Sequence, residues 1–188
     1  MNTVVDLNKI LSKGSLDDEL EFERASIINR KLRVLEKEHP ELSGKREKLR
    51  AILKAYENRV WVSNENEITP EKIAESDIAE TLADQEQLFF HKRKELIRKR
   101  LKSFSLSQKD LGKILGHSTT YISELVNGIY PFTMHDLILI HLLLKIDFKD
   151  LIPTLLNTDE RDNLVNLVHE LSNPKLKINE QSMELIIC

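Results

Sequence analysis

The sequence of 188 residues is poor in the residues that build disulfide-bonded, loop-rich and β-rich proteins. It has one cysteine, five glycines and five prolines, and aromatic residues make up only 5% of the chain. Because Cys188 is alone, an intramolecular disulfide is excluded, which fits a reducing compartment. The scarcity of glycine, proline and aromatic residues argues against a β-sandwich, and helix-compatible residues dominate instead.

Long apolar stretches are also missing from the sequence. The longest run, 137–144, is interrupted by His141 and is far shorter than the roughly 20 residues of a membrane-spanning helix. Residues 1–13 lack the basic and apolar segments of a secretory signal. We therefore expect a cytoplasmic protein without a membrane partner.

Charge is unevenly distributed along the chain. The formal net charge is −3, yet residues 91–130 carry nine Lys and Arg against three Asp and Glu, a local charge of +6. The segments on either side, 1–90 and 131–188, are both acidic, at −5 and −4. Since salt screens charges beyond roughly 8 Å, a phosphate backbone would meet the local charge rather than the total.

Residues 106–128, LSQKDLGKILGHSTTYISELVNG, have the pattern of two short helices joined by a tight turn. Ser107 is a helix N-cap, and Gly116 stands where a helix ends in the left-handed conformation that glycine adopts without a Cβ penalty. A second helix begins near 118–119, and Gly112 lets the two helices cross closely. This pattern is typical of a helix-turn-helix, which places its second helix in a DNA major groove.

Hydrophobic periodicity elsewhere predicts an all-α fold, with an N-terminal helical hairpin ahead of a five-helix repressor-like domain. The first hairpin helix follows Ser15 and ends at His39-Pro40, because the residue before proline is disfavoured in a helix. The second begins at residue 43 or 44 and runs toward Trp61. Two such helices need a further surface to cover them, supplied either by the rest of the same chain or by a partner.

The chain divides into four predicted regions. Residues 62–68 are polar, and a connecting helix follows from Thr69-Pro70, either continuous or broken near Ser76. The alternation at 175–178 favours a small β-hairpin or a strand pairing across a dimer. The regions are an N-terminal helical interaction region (1–62), a linker and connecting helix (63–90), the helix-turn-helix DNA-binding domain (91–153), and a C-terminal helix and tail for dimerisation (154–188).

These motifs resemble the Xre and phage-repressor helix-turn-helix family and, more narrowly, the HigA-type antitoxins of bacterial type II toxin–antitoxin modules. The resemblance rests on LSQKDL at 106–111, ISELVNG at 122–128 and PFTM at 131–134. The segment LKIDFKDLI at 144–152 departs from the family because it lacks the usual glycine before the fifth helix. In the N-terminal half, the acidic segment 16–23 and the sequence AYE at 55–57 are more loosely similar to the antitoxin pattern.

The resemblance implies which residues meet DNA. Positions at the start of the second motif helix match the base-reading residues of phage repressors, namely Thr119, Thr120, Ser123 and Glu124. Position in the motif and local charge together predict the DNA-backbone contacts, of which we expect about half to be made. For Tyr121, the alternative interpretation is that its ring packs inside the protein and does not contact DNA. The set is Arg98, Lys99, Lys102, Gln108, Lys109, Lys113, Tyr121 and Asn127.

The sequence predicts no enzyme, metal site or cofactor, since its histidines have no ligand spacing and no catalytic motif is present. The resemblance implies a homodimer that binds a pseudo-palindromic operator and represses its own operon. It also implies a small basic toxin as a partner, usually an mRNA endonuclease, bound by the acidic N-terminal helices. The alternatives are a stand-alone transcriptional regulator, or a protein-binding module that has lost its DNA affinity.

Overall fold

The computed structural model describes residues 6–62, 69–153, 158–173 and 175–176. These residues form nine α-helices and no strand, which confirms the all-α prediction. The strand pairing expected near the C-terminus lies in 174–188, which falls outside the described residues except for 175 and 176. The helices are α1 (Leu7–Lys13), α2 (Glu19–Leu35), α3 (Ser43–Glu57), α4 (Pro70–Ser103), α5 (Gln108–Leu115), α6 (Thr119–Val126), α7 (Met134–Leu144), α8 (Phe148–Leu151) and α9 (Thr158–Glu170).

The N-terminal unit, residues 6–62, contains the predicted hairpin as α2 and α3, preceded by the short helix α1 that the sequence analysis did not anticipate. A single 3₁₀ turn at Pro40–Leu42 joins the two long helices, and α3 continues into a π-helical turn at Asn58–Val62. The Asp18 carboxylate caps α2 by accepting from the Glu21 amide at 2.7 Å. Leu32 and Leu49 are fully buried between the helices, which fixes how they pack.

Helix α4 is continuous over 34 residues, about 51 Å at the usual rise per residue. Of the two alternatives that the sequence left open, the continuous helix is therefore the one observed, without a break near Ser76. The Ser76 hydroxyl donates to a Glu19 carboxylate oxygen at 3.2 Å instead of competing for the backbone of its own helix. The predicted start of the DNA-binding domain at residue 91 also falls inside this helix, which runs without interruption from the N-terminal unit into the helix-turn-helix.

The surface that covers the hairpin comes from the same chain, which settles the alternative that the sequence left open. Helix α2 packs along the first half of α4, where the small side chains of Ala79 and Ala83 are buried and permit a close approach. The Arg24 guanidinium donates to both carboxylate oxygens of Glu86 across this contact. The N-terminal unit and the helix-turn-helix consequently share one hydrophobic core.

Local sequence signals account for the helix-turn-helix, and the structure confirms them. Ser107 and Asp110 form a reciprocal capping box at the start of α5, and Gly116 ends that helix at φ 72°. A Cβ on Gly112 would lie 3.1 Å from both the His117 carbonyl oxygen and the Ile122 Cγ2 atom. A side chain there would force the turn or Ile122 to shift by a few tenths of an ångström, so glycine suits the point where α5 and α6 cross.

The link into the short helix α8 is built without the glycine of the family pattern. Lys145 ends α7 in the left-handed conformation at φ 53°, which costs a non-glycine residue about 1–2 kcal/mol. The Arg100 guanidinium donates to the Lys145 carbonyl oxygen at 3.2 Å and so ties this link to α4. The chain then begins α8 from Asp147, as the sequence predicted.

Candidate nucleic-acid interface

Helix α6 is the recognition helix of the motif, and its position is fixed from both ends. The Ser118 hydroxyl caps it by accepting from the Tyr121 amide at 3.2 Å. In the preceding turn, His117 Nε2 lies 2.9 Å from Asp136 Oδ1, which connects the α5–α6 turn to α7. At the other end, Gly128 follows with φ 69° and Phe90 packs against its Cα.

The structure brings the four predicted base-reading residues together on α6, but only Thr119 is exposed. Thr120 is half-buried, Ser123 is 4% exposed and Glu124 is 2% exposed. A side chain that reads a base edge has to be accessible from the groove. In this conformation three of the four predicted readers are therefore covered.

Thr120 and Glu124 are contacted by the corner where α2 leads into α3, which we define as residues 39–45 and which includes the first turn of α3. Lys45 Nζ donates to Glu124 Oε1 at 2.8 Å, forming an ion pair. The Thr120 hydroxyl donates to the Glu41 carboxylate and lies 3.3 Å from His39 Nδ1. The Thr120 hydrogen bond holds the pKa of Glu41 below its usual value.

The five cations predicted to contact the DNA backbone are all exposed. They lie on α5 and on the last two turns of α4, so they flank the helix-turn-helix. Lys113 Nζ is 3.7 Å from Asp110 Oδ1, a spacing loose enough for the lysine to remain available. Gln108 is half-buried at the start of α5, and the exposed cations are Arg98, Lys99, Lys102, Lys109 and Lys113.

Two further predicted backbone contacts are engaged within the protein. The Tyr121 ring packs between His117 and Tyr130, at centroid distances of 5.1 and 5.7 Å, and its burial raises its pKa. This position agrees with the alternative interpretation of an inward-packed tyrosine. Asn127 Oδ1 accepts from Lys94 Nζ at 2.7 Å.

Sequence reasoning did not identify the corner or Lys94 as part of this surface. The Lys45–Glu124 pair joins residues 79 positions apart, and no local pattern links them. Lys94 stood within the basic segment, so its charge was counted, but its contact with Asn127 depends on how α4 crosses the end of α6.

The described residues contain no group of three or more His, Cys, Asp and Glu side chains arranged to hold a metal ion. Within the same ranges, no helix combines the length and the apolar character needed to cross a bilayer.

Residues 97–151 match the helix-turn-helix family model, from the last turns of α4 through α8. The matched segment contains the capping box, Gly112, Gly116 and the recognition helix described above. Residues 97–151 thus form a helix-turn-helix domain of the Xre and Cro/C1 type, a kind of domain found in DNA-binding regulators. No curated protein and no solved structure matches it significantly.

Proposed function

We propose that this protein is a HigA-type antitoxin that represses its own operon and neutralises a small basic toxin. The observation that carries the DNA-binding part is the α5–α6 motif flanked by exposed cations. Helix α5 carries the exposed Lys109 in its first turn, beside the N-terminal amides where a phosphate binds favourably, and the exposed Lys113 one turn further on. The first residue of α6, Thr119, is exposed at the end that enters the groove in this class of motif.

An apolar stripe on α7 supports the homodimer in this proposal. Met134, Ile138 and Leu142 stand four residues apart on one helical face and are 62%, 40% and 64% exposed. Large exposed apolar side chains in a continuous row indicate a surface that a partner covers. A second copy meeting this stripe would give a two-fold dimer, which would match half-sites about 34 Å apart.

Replacing Lys113 with alanine should weaken binding to every DNA sequence alike and reduce the slope of log K against log salt by about 0.9, because one phosphate contact is lost. Replacing the exposed Thr119 with alanine should instead relax the preference at one base pair, by about 1–3 kcal/mol. Footprinting and fluorescence anisotropy on the region upstream of the gene measure both effects. Lys48→Ala in the N-terminal unit is the matched control.

Unchanged binding in the Lys113→Ala and Thr119→Ala variants would contradict the proposed DNA-binding surface. A footprint confined to one half-site would contradict the two-fold dimer.

The toxin-binding part of the proposal is supported by an acidic cluster where α2 meets α4. The Glu23 carboxylate has its pKa raised, first by burial and then by the nearby carboxylate of Glu80, with Asp84 contributing in the same direction. These groups therefore lie close enough to repel one another. A concentration of negative charge speeds encounter with a basic partner.

Co-expression with the product of a neighbouring gene tests toxin neutralisation. We expect the full chain to relieve the toxicity of that product, and the double variant Glu80→Lys/Asp84→Lys to relieve it poorly while still binding DNA. The control double variant Glu38→Lys/Glu47→Lys makes the same charge change elsewhere on the N-terminal unit. A chain that binds its upstream DNA but relieves no toxicity would be a stand-alone regulator, the alternative function.

A further inference from the structure

The corner between α2 and α3 lies across the face of α6 that would enter a DNA groove. Lys45 pairs with Glu124 at 2.8 Å, and Glu41 accepts a hydrogen bond from Thr120. Two successive turns of the recognition helix are therefore contacted by residues 39–45. The Glu124 side chain, only 2% exposed, has its carboxylate turned toward a lysine of the same chain.

This arrangement is incompatible with groove binding by the same face. Base edges approach within hydrogen-bond distance of the recognition helix, so they need the space that the corner occupies. Thr120 cannot donate its single hydroxyl proton to Glu41 and to a base at the same time. The described conformation is consequently one in which α6 is closed to DNA.

We infer that residues 39–45 are an autoinhibitory cover that competes with DNA for the recognition helix. The inference rests on the proposed DNA binding by α6. Opening requires the corner to move away from α6 while the helix-turn-helix keeps its fold. Any ligand of the N-terminal unit that prefers the open conformation would then raise the DNA affinity, and any ligand that prefers the closed one would lower it.

The hydrogen bonds and the ion pair that join residues 39–45 to α6 are contacts that can re-form with other polar partners, which suits a reversible closure. In addition, Lys45 Nζ lies 5.2 Å from the Tyr130 ring centroid. Water or phosphate oxygens can replace such partners when the corner moves. The packing of α2 on α4 does not include residues 39–45 themselves, so it can hold the N-terminal unit in place when the cover opens.

Lys45→Glu tests the cover directly because it places a carboxylate opposite Glu124. We expect the full-length variant to bind duplex DNA from its own upstream region at least about tenfold more tightly than the wild type. The added negative charge by itself would weaken DNA binding, so an increase cannot be a simple charge effect. Lys54→Glu, on the opposite face of α3, is the control and should bind equally or more weakly than the wild type.

Hydrogen exchange on the wild-type protein provides a second readout. On saturation with DNA, the amides of residues 39–45 should lose protection while those of α5 and α6 should not. The inference of a cover would be overturned if the wild type and Lys45→Glu bound DNA with equal affinity and the amides of residues 39–45 kept their protection. Failure of both proteins to bind DNA would overturn the proposed function itself, and the cover with it, whereas binding by Lys45→Glu alone would support both.

Discussion

Arg24→Met is expected to lower the free energy of unfolding by about 3 kcal/mol at neutral pH, because it leaves the buried Glu86 carboxylate without its partner. Arg24 Nε donates to Glu86 Oε2 at 2.8 Å, and the two side chains are 18% and 11% exposed. Removing one partner of a buried ion pair lowers the free energy of unfolding much more than replacing both partners with apolar residues does. The double variant Arg24→Met/Glu86→Leu should therefore recover most of the loss.

The loss caused by Arg24→Met should depend on pH. Burial raises the pKa of Glu86 even beside Arg24, whose hydrogen bond and charge lower it. Without Arg24 the folded-state pKa rises further above the unfolded value of about 4.5. The folded variant then binds the Glu86 proton more tightly than the unfolded chain does. The loss of stability relative to the wild type is therefore small near pH 4 and grows as the pH rises from the unfolded-state pKa toward the raised folded-state pKa.

Urea denaturation at pH 4 and pH 7.5 measures the difference between Arg24→Met and the wild type. The exposed Arg33→Met on the same helix is the control and should change little at either pH. An equal loss at both pH values would contradict the role of the Glu86 charge.

Lys31→Met is the second substitution with a large expected effect, and it should stabilise the protein at neutral pH. Burial lowers the pKa of Lys31 to about 7, with Arg93 and Lys94 adding repulsion. Its Nζ lies 5.5 Å from the Phe90 ring centroid, in the contact between α2 and α4. The folded state thus binds fewer protons than the unfolded state between pH 7 and pH 10.5, so stability due to this group rises with pH across that range.

The wild type should therefore gain about 1.4 kcal/mol per pH unit relative to Lys31→Met between pH 8 and pH 9.5. Chemical denaturation of both proteins at several pH values measures this difference. Arg33→Met again serves as the control on α2. Parallel stability curves for the wild type and Lys31→Met would show that the lysine keeps its ordinary pKa in the fold.

Both substitutions lie where α2 is held against α4, so they also bear on the cover over α6. Gly128, two residues after the end of α6, lies near this contact, since a Cβ there would be 3.5 Å from Lys31 Nζ. A weaker α2–α4 contact should loosen the corner as well. Arg24→Met is for this reason expected to shift the DNA affinity in the same direction as Lys45→Glu.

The helix-turn-helix could be predicted because its signals are local. Ser107 and Asp110 cap α5 within four residues, and Gly116 ends it in a conformation that disfavours other residues. The link between α7 and α8 is an example of a conformation that no local signal predicted. Lys145 adopts the left-handed conformation that glycine adopts more easily, and the surrounding packing, including the Arg100 hydrogen bond, maintains it.

The continuity of α4 could not be predicted from its own residues. A serine side chain can compete for the backbone of its own helix, so a break near Ser76 was one of two alternatives. A hydrogen bond to Glu19, 57 positions earlier in the chain, removes the competing local interaction. The partner is on another helix, so the tertiary structure decides between the alternatives.

The sequence by itself determined the two hairpin helices, the helix-turn-helix and the segment of positive charge, because capping, hydrophobic periodicity and charge are read within a few residues. Only the tertiary structure decided what covers the hairpin and which face of α6 is accessible. Thr120 and Glu124 were predicted to face DNA, and in the structure they face residues 79 positions away. Contacts at that separation depend on how α2, α3 and α4 pack, and no local pattern encodes them.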